Sequence, residues 1–162
     1  MNKNSPMGKI MNTMPQTGEV VWIGVRPEKR ADMNVVKKVK ANFETGLEGD
    51  RYNKDGKRQV TLIQFEHLLA TTAIMKTPVR PEMVRRNIVI KGLNLLALKE
   101  QQFKIGSVVL ETTGQCHPCS RMEENLGAGG YNAMRGHGGI TARIIKSGEI
   151  KMGDNVSLVI ND

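Results

Sequence analysis

The longest strand-type stretch of this chain reads Phe103-Lys104-Ile105-Gly106-Ser107-Val108-Val109-Leu110-Glu111-Thr112-Thr113. Apolar and β-branched residues dominate it, as is typical of strands that pack one face against a core. It leads without a break into Gly114-Gln115-Cys116-His117-Pro118-Cys119-Ser120-Arg121, which holds both cysteines of the protein. The sequence therefore predicts one strand over residues 103–113 that delivers the chain directly to the cysteine pair.

Shorter stretches of the same kind occur along the rest of the chain, separated by turns rich in Gly and Asp. We expect strands at residues 19–25, 35–44, 59–63, 87–90, 140–145 and 156–160. The spacing of apolar residues predicts one helix over 64–74, ended by Pro78 and Pro81, whereas 93–98 fits either a strand or a turn. Many short strands with few helices are typical of a mainly β protein, a barrel or a sandwich with short helical insertions.

The length of 162 residues fits one domain with a sizeable core. Aromatic residues make up only 4% of the chain, so Val, Ile and Leu must build that core, which favours a sheet. Residues 1–17 are polar, carry Pro6 and Pro15, and show no period of either kind. We expect them to form a flexible lead and residues 18–162 to form the single domain.

The formal net charge of +8 predicts an anionic partner, such as a phosphorylated small molecule. Nucleic acid is disfavoured, because the basic residues are dispersed and no aromatic-and-basic stripe suits base stacking. No apolar run approaches the roughly 20 residues of a membrane span, and no signal-peptide pattern follows the N-terminus. These features predict a cytoplasmic protein without membrane association, whose thiols stay reduced.

The two cysteines, Cys116 and Cys119, are too close in sequence to close a long loop as a structural disulfide. They are therefore either reactive or metal-binding thiols, or two small buried residues in a turn. Arg121 and His117 lie close in sequence and favour the thiolate, which is both the nucleophile and the ligand for a soft metal. Composition leaves both interpretations open.

The segment after Cys119 predicts a short helix over residues 120–126, with Ser120 as N-cap and Glu123 as its capping-box partner. Cys119 then precedes a helix N-terminus, which stabilises a thiolate. Cys116 fits a resolving thiol or a packing residue. A zinc site from both cysteines and His117, with His137 as the fourth ligand, is a further option, although structural zinc sites normally use two well-spaced ligand pairs.

An ordered set of motifs resembles a known family. In chain order the motifs are Gly46-Leu47-x-Gly49-Asp50-Arg51, Arg58-Gln59-Val60-Thr61-Leu62-Ile63, Arg85-Arg86-Asn87-Ile88-Val89-Ile90-x-Gly92, Phe103-x-Ile105-Gly106, Cys116-x-Pro118-Cys119, Gly138-Gly139-Ile140-x-Ala142-Arg143 and Gly153-Asp154-x-Val156. Together they closely resemble the MOSC family, named for the C-terminal domain of molybdenum cofactor sulfurase. The likeness covers about residues 18–160.

The resemblance implies a MOSC-type β-barrel with one essential cysteine, matched here by Cys119. In related proteins that cysteine ligates molybdenum, while basic residues hold the phosphate of the pterin cofactor. The resemblance makes Cys119 the catalytic and molybdenum-binding residue. The expected contacts of the anionic molybdenum cofactor, molybdopterin, are Arg85, Arg86 and Arg121, with Arg58 and Arg143 behind them and Asn87 orienting the cofactor edge.

The resemblance leaves two functions open. One is a molybdenum-cofactor oxidoreductase that reduces N-hydroxylated compounds together with a redox partner protein. The other is a sulfur carrier, in which Cys119 receives a persulfide from a separate pyridoxal-phosphate desulfurase and passes the sulfur to a metal-sulfur cluster or cofactor. No lysine site for pyridoxal phosphate is recognisable in this chain, so the desulfurase would be a partner.

Overall fold

The computed structural model describes residues 2–160 and shows a chain built mainly of β-strands. The strands are β1 Gly18–Val25, β2 Asn34–Val35, β3 Lys38–Asn42, β4 Gly46–Leu47, β5 Val60–Gln64, β6 Ile88–Lys91, β7 Gln102–Ile105, β8 Val108–Gln115, β9 Ile140–Lys146, β10 Gly148–Lys151 and β11 Asn155–Leu158. The helices are α1 Pro6–Met11, α2 Phe65–Met75, α3 Pro81–Val84, α4 Ser120–Leu126 and α5 Gly130–Met134, with a 3₁₀ helix at Leu95–Leu98. No helix in this described range is long and apolar enough to cross a membrane.

Seven strands close into a barrel in the order β11, β7, β8, β9, β5, β6 and β1, with β1 pairing back onto β11. Only β5 and β6 run parallel among these neighbours, because α2 and α3 carry the chain back across the barrel between them. β2 extends the sheet beyond β1, and β10, β3 and β4 form a small separate sheet. The predicted mainly β barrel with short helical insertions is confirmed.

Apolar residues fill two adjoining cores. The larger lies inside the barrel and includes Phe103, Ile105 and Leu110, which are fully buried. The smaller lies between the outside of β5 and β6 and the helices, and consists of Ile63, Leu68, Val79, Val84, Val89, Met122 and Met134. β5 is buried on both faces, which explains why Val60, Leu62 and Ile63 do not follow a strict alternation of apolar and polar residues.

The stretch 103–113 is a hairpin and not the single strand that the sequence predicts. The chain turns at Gly106-Ser107, where Gly106 has φ +56°, and Phe103 then lies opposite Leu110. Phe103, Ile105, Val108 and Leu110 all still face the core, because a two-residue turn keeps both strands in register with the pleat. The second strand of this hairpin delivers the chain to the cysteines.

Other elements differ from the prediction in smaller ways. The expected strand 35–44 is split into β2 and β3, and the ambiguous residues 93–98 include the 3₁₀ helix. Pro81 opens α3 at its first position, where proline needs no N–H partner, and does not end a helix there. α5 lies in a glycine-dense stretch that shows no helical pattern, and α1 lies within residues 1–17. The flexibility of that lead and the boundary at residue 18 stay predictions.

Gly139 offers a test of how closely β9 packs against β5. Its φ is +87°, and a Cβ there would collide with the carbonyl group of Leu62. Gly136 has a similar φ of +78° with nothing within 4 Å of the added carbon. We expect Gly136→Ala to lower the free energy of unfolding by about 1 kcal/mol through backbone strain alone, and Gly139→Ala to lower it by about 3 kcal/mol or more because overpacking is added.

Urea denaturation of both variants beside the wild type measures this difference. Equal losses of unfolding free energy in the two variants would contradict the close approach of residue 139 to β5.

Candidate functional site

Cys119 lies exposed on the wall of an open groove of about 290 Å³. Cys116 is buried, with only 2% of its surface exposed. The pair is therefore unequal, because only Cys119 is open to a ligand or partner in the groove. We call this concavity the Cys119 groove; besides Cys119, it is lined by Arg26, Lys29, Arg30, Arg51, Arg58, Arg85, Ser120, Arg121 and Met122.

Segments far apart in sequence supply the cations of the Cys119 groove. Arg26 follows β1, Arg51 and Arg58 lie in the long connection between β4 and β5, Arg85 ends α3, and Arg121 lies in the first turn of α4. Arg85 has φ +61°, a left-handed conformation that is uncommon for arginine. The closed barrel brings these strand ends together.

The charge of the Cys119 groove is nearly uncompensated. Within residues 2–160 its only ion pairs are Arg26 with Asp50 at 3.1 Å and the exposed pair of Arg30 with Glu124 at 3.5 Å. Burial lowers the pKa of Arg85, and repulsion from Arg121, Arg26 and Arg51 lowers it further. Like charges held this close favour the binding of an anion.

Asp50 fixes Arg26 at the edge of the groove. Its carboxylate accepts from the Arg26 backbone N–H at 2.8 Å, from Arg26 Nε at 3.2 Å and from Arg26 Nη2 at 3.1 Å. It also accepts from the backbone N–H of Tyr52 at 3.1 Å. The bond from Tyr52 is the local side-chain-to-backbone contact that is common for an acid in a glycine-rich turn. Asp50 in addition makes a bidentate contact with the guanidinium of Arg26, 24 residues away in sequence.

Asn87 is fully buried behind this pair and touches no part of the groove wall. Its Nδ2 donates to Gly24 O and to Asp50 Oδ1, both at 3.1 Å. Its Oδ1 accepts from the N–H of Thr61 at 3.1 Å and from the Thr61 hydroxyl at 3.0 Å. Since all of these bonds are internal, Asn87 joins β1, β5 and Asp50 in this structure and offers no free group to a cofactor edge.

Arg86 is also buried, with 6% of its surface exposed, and it points away from the Cys119 groove. Its guanidinium donates to the carbonyls of Gly138 at 2.9 Å, Val84 at 2.8 Å and Cys116 at 3.0 Å. No carboxylate pairs with it in the described part of the chain. Burial lowers the pKa of Arg86 below its ordinary value. The structure therefore places Arg86 as the support of the cysteine loop.

Cys116 is held from several sides. Its backbone N–H donates to Gly139 O at 2.9 Å, and its sulfur lies 3.9 Å from Arg58 Nη2. His137, the fourth ligand in the predicted zinc option, packs against His67, with ring centroids 4.9 Å apart. Within residues 2–160 no three side chains among His, Cys, Asp and Glu are grouped as metal ligands would be, so the zinc option gains no support.

The helix after the cysteines spans residues 120–126, as the sequence predicts, but its N-cap lies one residue earlier than predicted. Cys119 itself is the N-cap of α4, and no side chain caps the helix there. Glu123 accepts from the backbone N–H groups of Gly129 at 2.7 Å and Tyr131 at 2.9 Å. The predicted Ser120 and Glu123 capping box is therefore wrong, because α5 supplies closer donors for that carboxylate.

Of the predicted site residues, Cys119, Arg58, Arg85 and Arg121 come together in the Cys119 groove. Arg143 does not, since it lies on β9 and faces Glu111 at 3.7 Å. The sequence analysis missed Arg26, Lys29, Arg30 and Arg51 as groove residues. For two of these residues the sequence did indicate a place near the site. Arg26 ends the first predicted strand, and Arg51 ends the Gly49-Asp50-Arg51 motif.

The Asp50 contact predicts a pH dependence of stability. Burial by itself would raise the pKa of Asp50, but the hydrogen bonds and charge of Arg26, with the N–H of Tyr52, lower it below its ordinary value of 3.8. A carboxyl whose pKa is lower in the folded chain stabilises the fold above the unfolded-state pKa, and this contribution declines as pH falls through the folded-state pKa. We expect Asp50→Asn to lower the free energy of unfolding by about 2–3 kcal/mol at pH 7.

The difference between wild type and Asp50→Asn should then shrink progressively below about pH 4. Urea denaturation at several pH values measures it, with the exposed Asp55→Asn as matched control, which should change neither quantity appreciably. A wild-type advantage that stays constant from neutral to strongly acid pH would contradict the contact.

Known structures share this fold at low sequence identity. The YuaD protein from Bacillus subtilis matches with a TM-score of 0.77 at 18% identity, covering 89% of this chain and 97% of that one. YiiM from Geobacillus stearothermophilus matches with a TM-score of 0.73 at 17% identity, covering 88% of this chain and 75% of that one. YiiM from Escherichia coli matches with a TM-score of 0.66 at 18% identity, covering 89% and 71%. These likenesses show a shared fold.

Sequence comparison gives the family. We find no match to this chain among curated proteins. The MOSC domain model, however, matches residues 29–157, from the basic loop after β1 into β11. This range includes both cysteines and most of the cations of the Cys119 groove. With the closed barrel and the exposed cysteine, this match shows that the chain belongs to the MOSC domain family.

Proposed function

We propose that this protein binds a pterin-based molybdenum cofactor in the Cys119 groove and uses it to reduce N-hydroxylated compounds. One observation carries the proposal: an exposed thiol stands on the wall of a groove whose charged lining consists of cations and includes no carboxylate. The family match is the context in which these groups point to that cofactor.

The donor types fit the cofactor. A soft sulfur ligand suits molybdenum, so Cys119 would hold the metal. Guanidinium groups bind phosphate through paired hydrogen bonds, and Arg58, Arg85 and Arg121 line the same groove as the thiol without carboxylate partners. Arg86, Asn87 and Arg143, by contrast, make internal or surface contacts in this structure.

The bound cofactor would supply the redox centre for the reduction. The chain's own residues attract the anionic cofactor, hold Cys119 in place through Arg86 and the cysteine loop, and leave the thiol side of the groove open to a substrate. Electrons would come from a separate redox partner protein.

Replacement of Cys119 tests the metal ligand. We expect Cys119→Ser to lose most of its molybdenum and pterin when the protein is expressed in a host that makes the cofactor, because a neutral hydroxyl is a poor ligand for a soft metal. Cys116→Ala is the matched control and should keep both, since Cys116 does not line the groove. Elemental analysis and pterin fluorescence measure the loss. Wild-type protein free of metal and pterin would contradict the proposal.

A sulfur carrier is the second candidate, favoured by the exposure of Cys119, because a partner protein must reach that thiol. Cys119 would attack the outer sulfur of a persulfide on a pyridoxal-phosphate desulfurase, whose own cysteine leaves as a thiolate. A two-electron reductant, such as a thiol that is oxidised to a disulfide, would then release this sulfur as sulfide to the receiving metal-sulfur cluster or cofactor and return Cys119 to the thiolate.

The carrier function predicts a mass gain of one sulfur atom on Cys119 after incubation with a desulfurase and free cysteine, reversed by a reductant. Intact-mass measurement on the wild type and on Cys119→Ser checks it, and only the wild type should gain the mass. If the wild type never gains it, the carrier function is wrong, whatever its molybdenum content.

A further inference from the structure

A second cavity continues the Cys119 groove on the side away from α4. It measures about 350 Å³ and is lined by Arg26, Arg51, Tyr52, Asn53, Lys54 and Arg58. Arg26, Arg51 and Arg58 line both concavities, so they form the boundary between the two. Because the two concavities share these three residues, they are adjacent, and a ligand of sufficient length can contact both.

The charge of the second cavity is not balanced by the protein. No Asp or Glu lines it, and Asp50 compensates only Arg26. Arg51, Lys54 and Arg58 form no ion pair within residues 2–160. One phosphate beside Cys119 carries at most two negative charges, so the cations beyond Arg58 would still lack an anion.

The loop that supplies these cations is held before any ligand binds. The backbone N–H of Arg51 donates to Arg26 O at 2.6 Å, and Gln59 Nε2 donates to Lys54 O at 3.4 Å. The ammonium group of Lys54 lies 5.6 Å from the centre of the Tyr52 ring, within the range of a cation–π contact. A loop that is already ordered loses less entropy when a ligand binds, which raises affinity.

We propose that the second cavity is a subsite for a second phosphate, and that the groove accepts diphosphate esters of the nucleoside-diphosphate type. This inference rests on the proposed function in one respect, since the first phosphate is taken to occupy the Cys119 groove. The second phosphate lies against Arg51, Lys54 and Arg58, and the rest of the ester extends past Tyr52 and Asn53.

The shape of the site favours a small ligand over a nucleic acid strand. Both concavities are open but small, at about 350 and 290 Å³, whereas a strand needs a long cationic track with aromatic platforms. The protein has few aromatic residues, with one Trp, two Tyr and three Phe, and only Tyr52 lies in this region.

Binding measurements on the cofactor-free protein test the proposal. Calorimetry at fixed salt compares AMP with ADP, which share a base and differ by one phosphate, and inorganic phosphate with pyrophosphate. We expect each diphosphate to bind about tenfold more tightly than its monophosphate, which corresponds to about 1.4 kcal/mol. A gain of less than twofold in both pairs overturns the subsite.

Two double variants test which residues cause the tighter binding of the diphosphates. The double variant Arg51→Ala with Lys54→Ala should remove the preference for ADP over AMP. Because Arg51 also lines the Cys119 groove, the quantity compared is the ratio of the two affinities and not the AMP affinity itself. The control Lys104→Ala with Lys146→Ala loses the same charge at exposed lysines outside both concavities and should keep the preference. An equal loss in both double variants shows a general charge effect and overturns the proposal.

Two further measurements remove ambiguity. Lys54→Gln alone makes a milder change in case the double variant fails to fold, and it should lower the ADP preference at least threefold. A single-stranded thymidine hexamer that binds more tightly than ADP overturns the small-ligand assignment. Because molybdenum retention by Cys119 needs only one phosphate, loss of the subsite proposal leaves the cofactor proposal to its own test.

Discussion

The buried guanidinium of Arg86 links the segments on which the site depends. It donates to carbonyls at the end of α3, in the cysteine loop and in the glycine loop before β9. A buried cation without a carboxylate is costly unless its N–H groups find acceptors. Here the acceptors are four backbone carbonyls, those of Val84, Cys116, His117 and Gly138, and the sulfur of Met122. This arrangement ties the cysteine loop to the barrel wall, and it places a positive charge against the backbone of that loop.

Around Cys119, in contrast, positive charges lie close together without compensation. Arg51, Arg58, Arg85 and Arg121 crowd around Cys119 without carboxylate partners in the described chain. Such repulsion destabilises the free protein and is relieved when an anion binds. Asp50 compensates Arg26 alone, and it is itself held by Asn87, the residue before β6. The closed barrel supports this strain because its strands are paired, and the excess charge lies on loops and helix ends.

Local sequence patterns predict much of the secondary structure and one of the site residues. The strands, α2 and the choice of Cys119 over Cys116 as the candidate site residue follow from periodicity and motif, which depend on neighbours in sequence. The hairpin at Gly106 was missed because both of its strands keep apolar residues facing the core, so the pattern runs on without a visible break. α5 was missed because a glycine-rich sequence does not predict a helix. Contacts of α5 with α2 and α4 stabilise it.

The sequence by itself determined a barrel of Val, Ile and Leu strands, an excess of positive charge and a cysteine pair placed at the end of a strand. Only the tertiary structure decided which arginines line the groove and which make internal hydrogen bonds. Arg85 and Arg86 are neighbours in the chain, yet one faces the groove and the other bonds to Gly138 from 52 positions away. A guanidinium acquires its role from the groups that surround it, and these come from distant segments that meet only when the barrel closes.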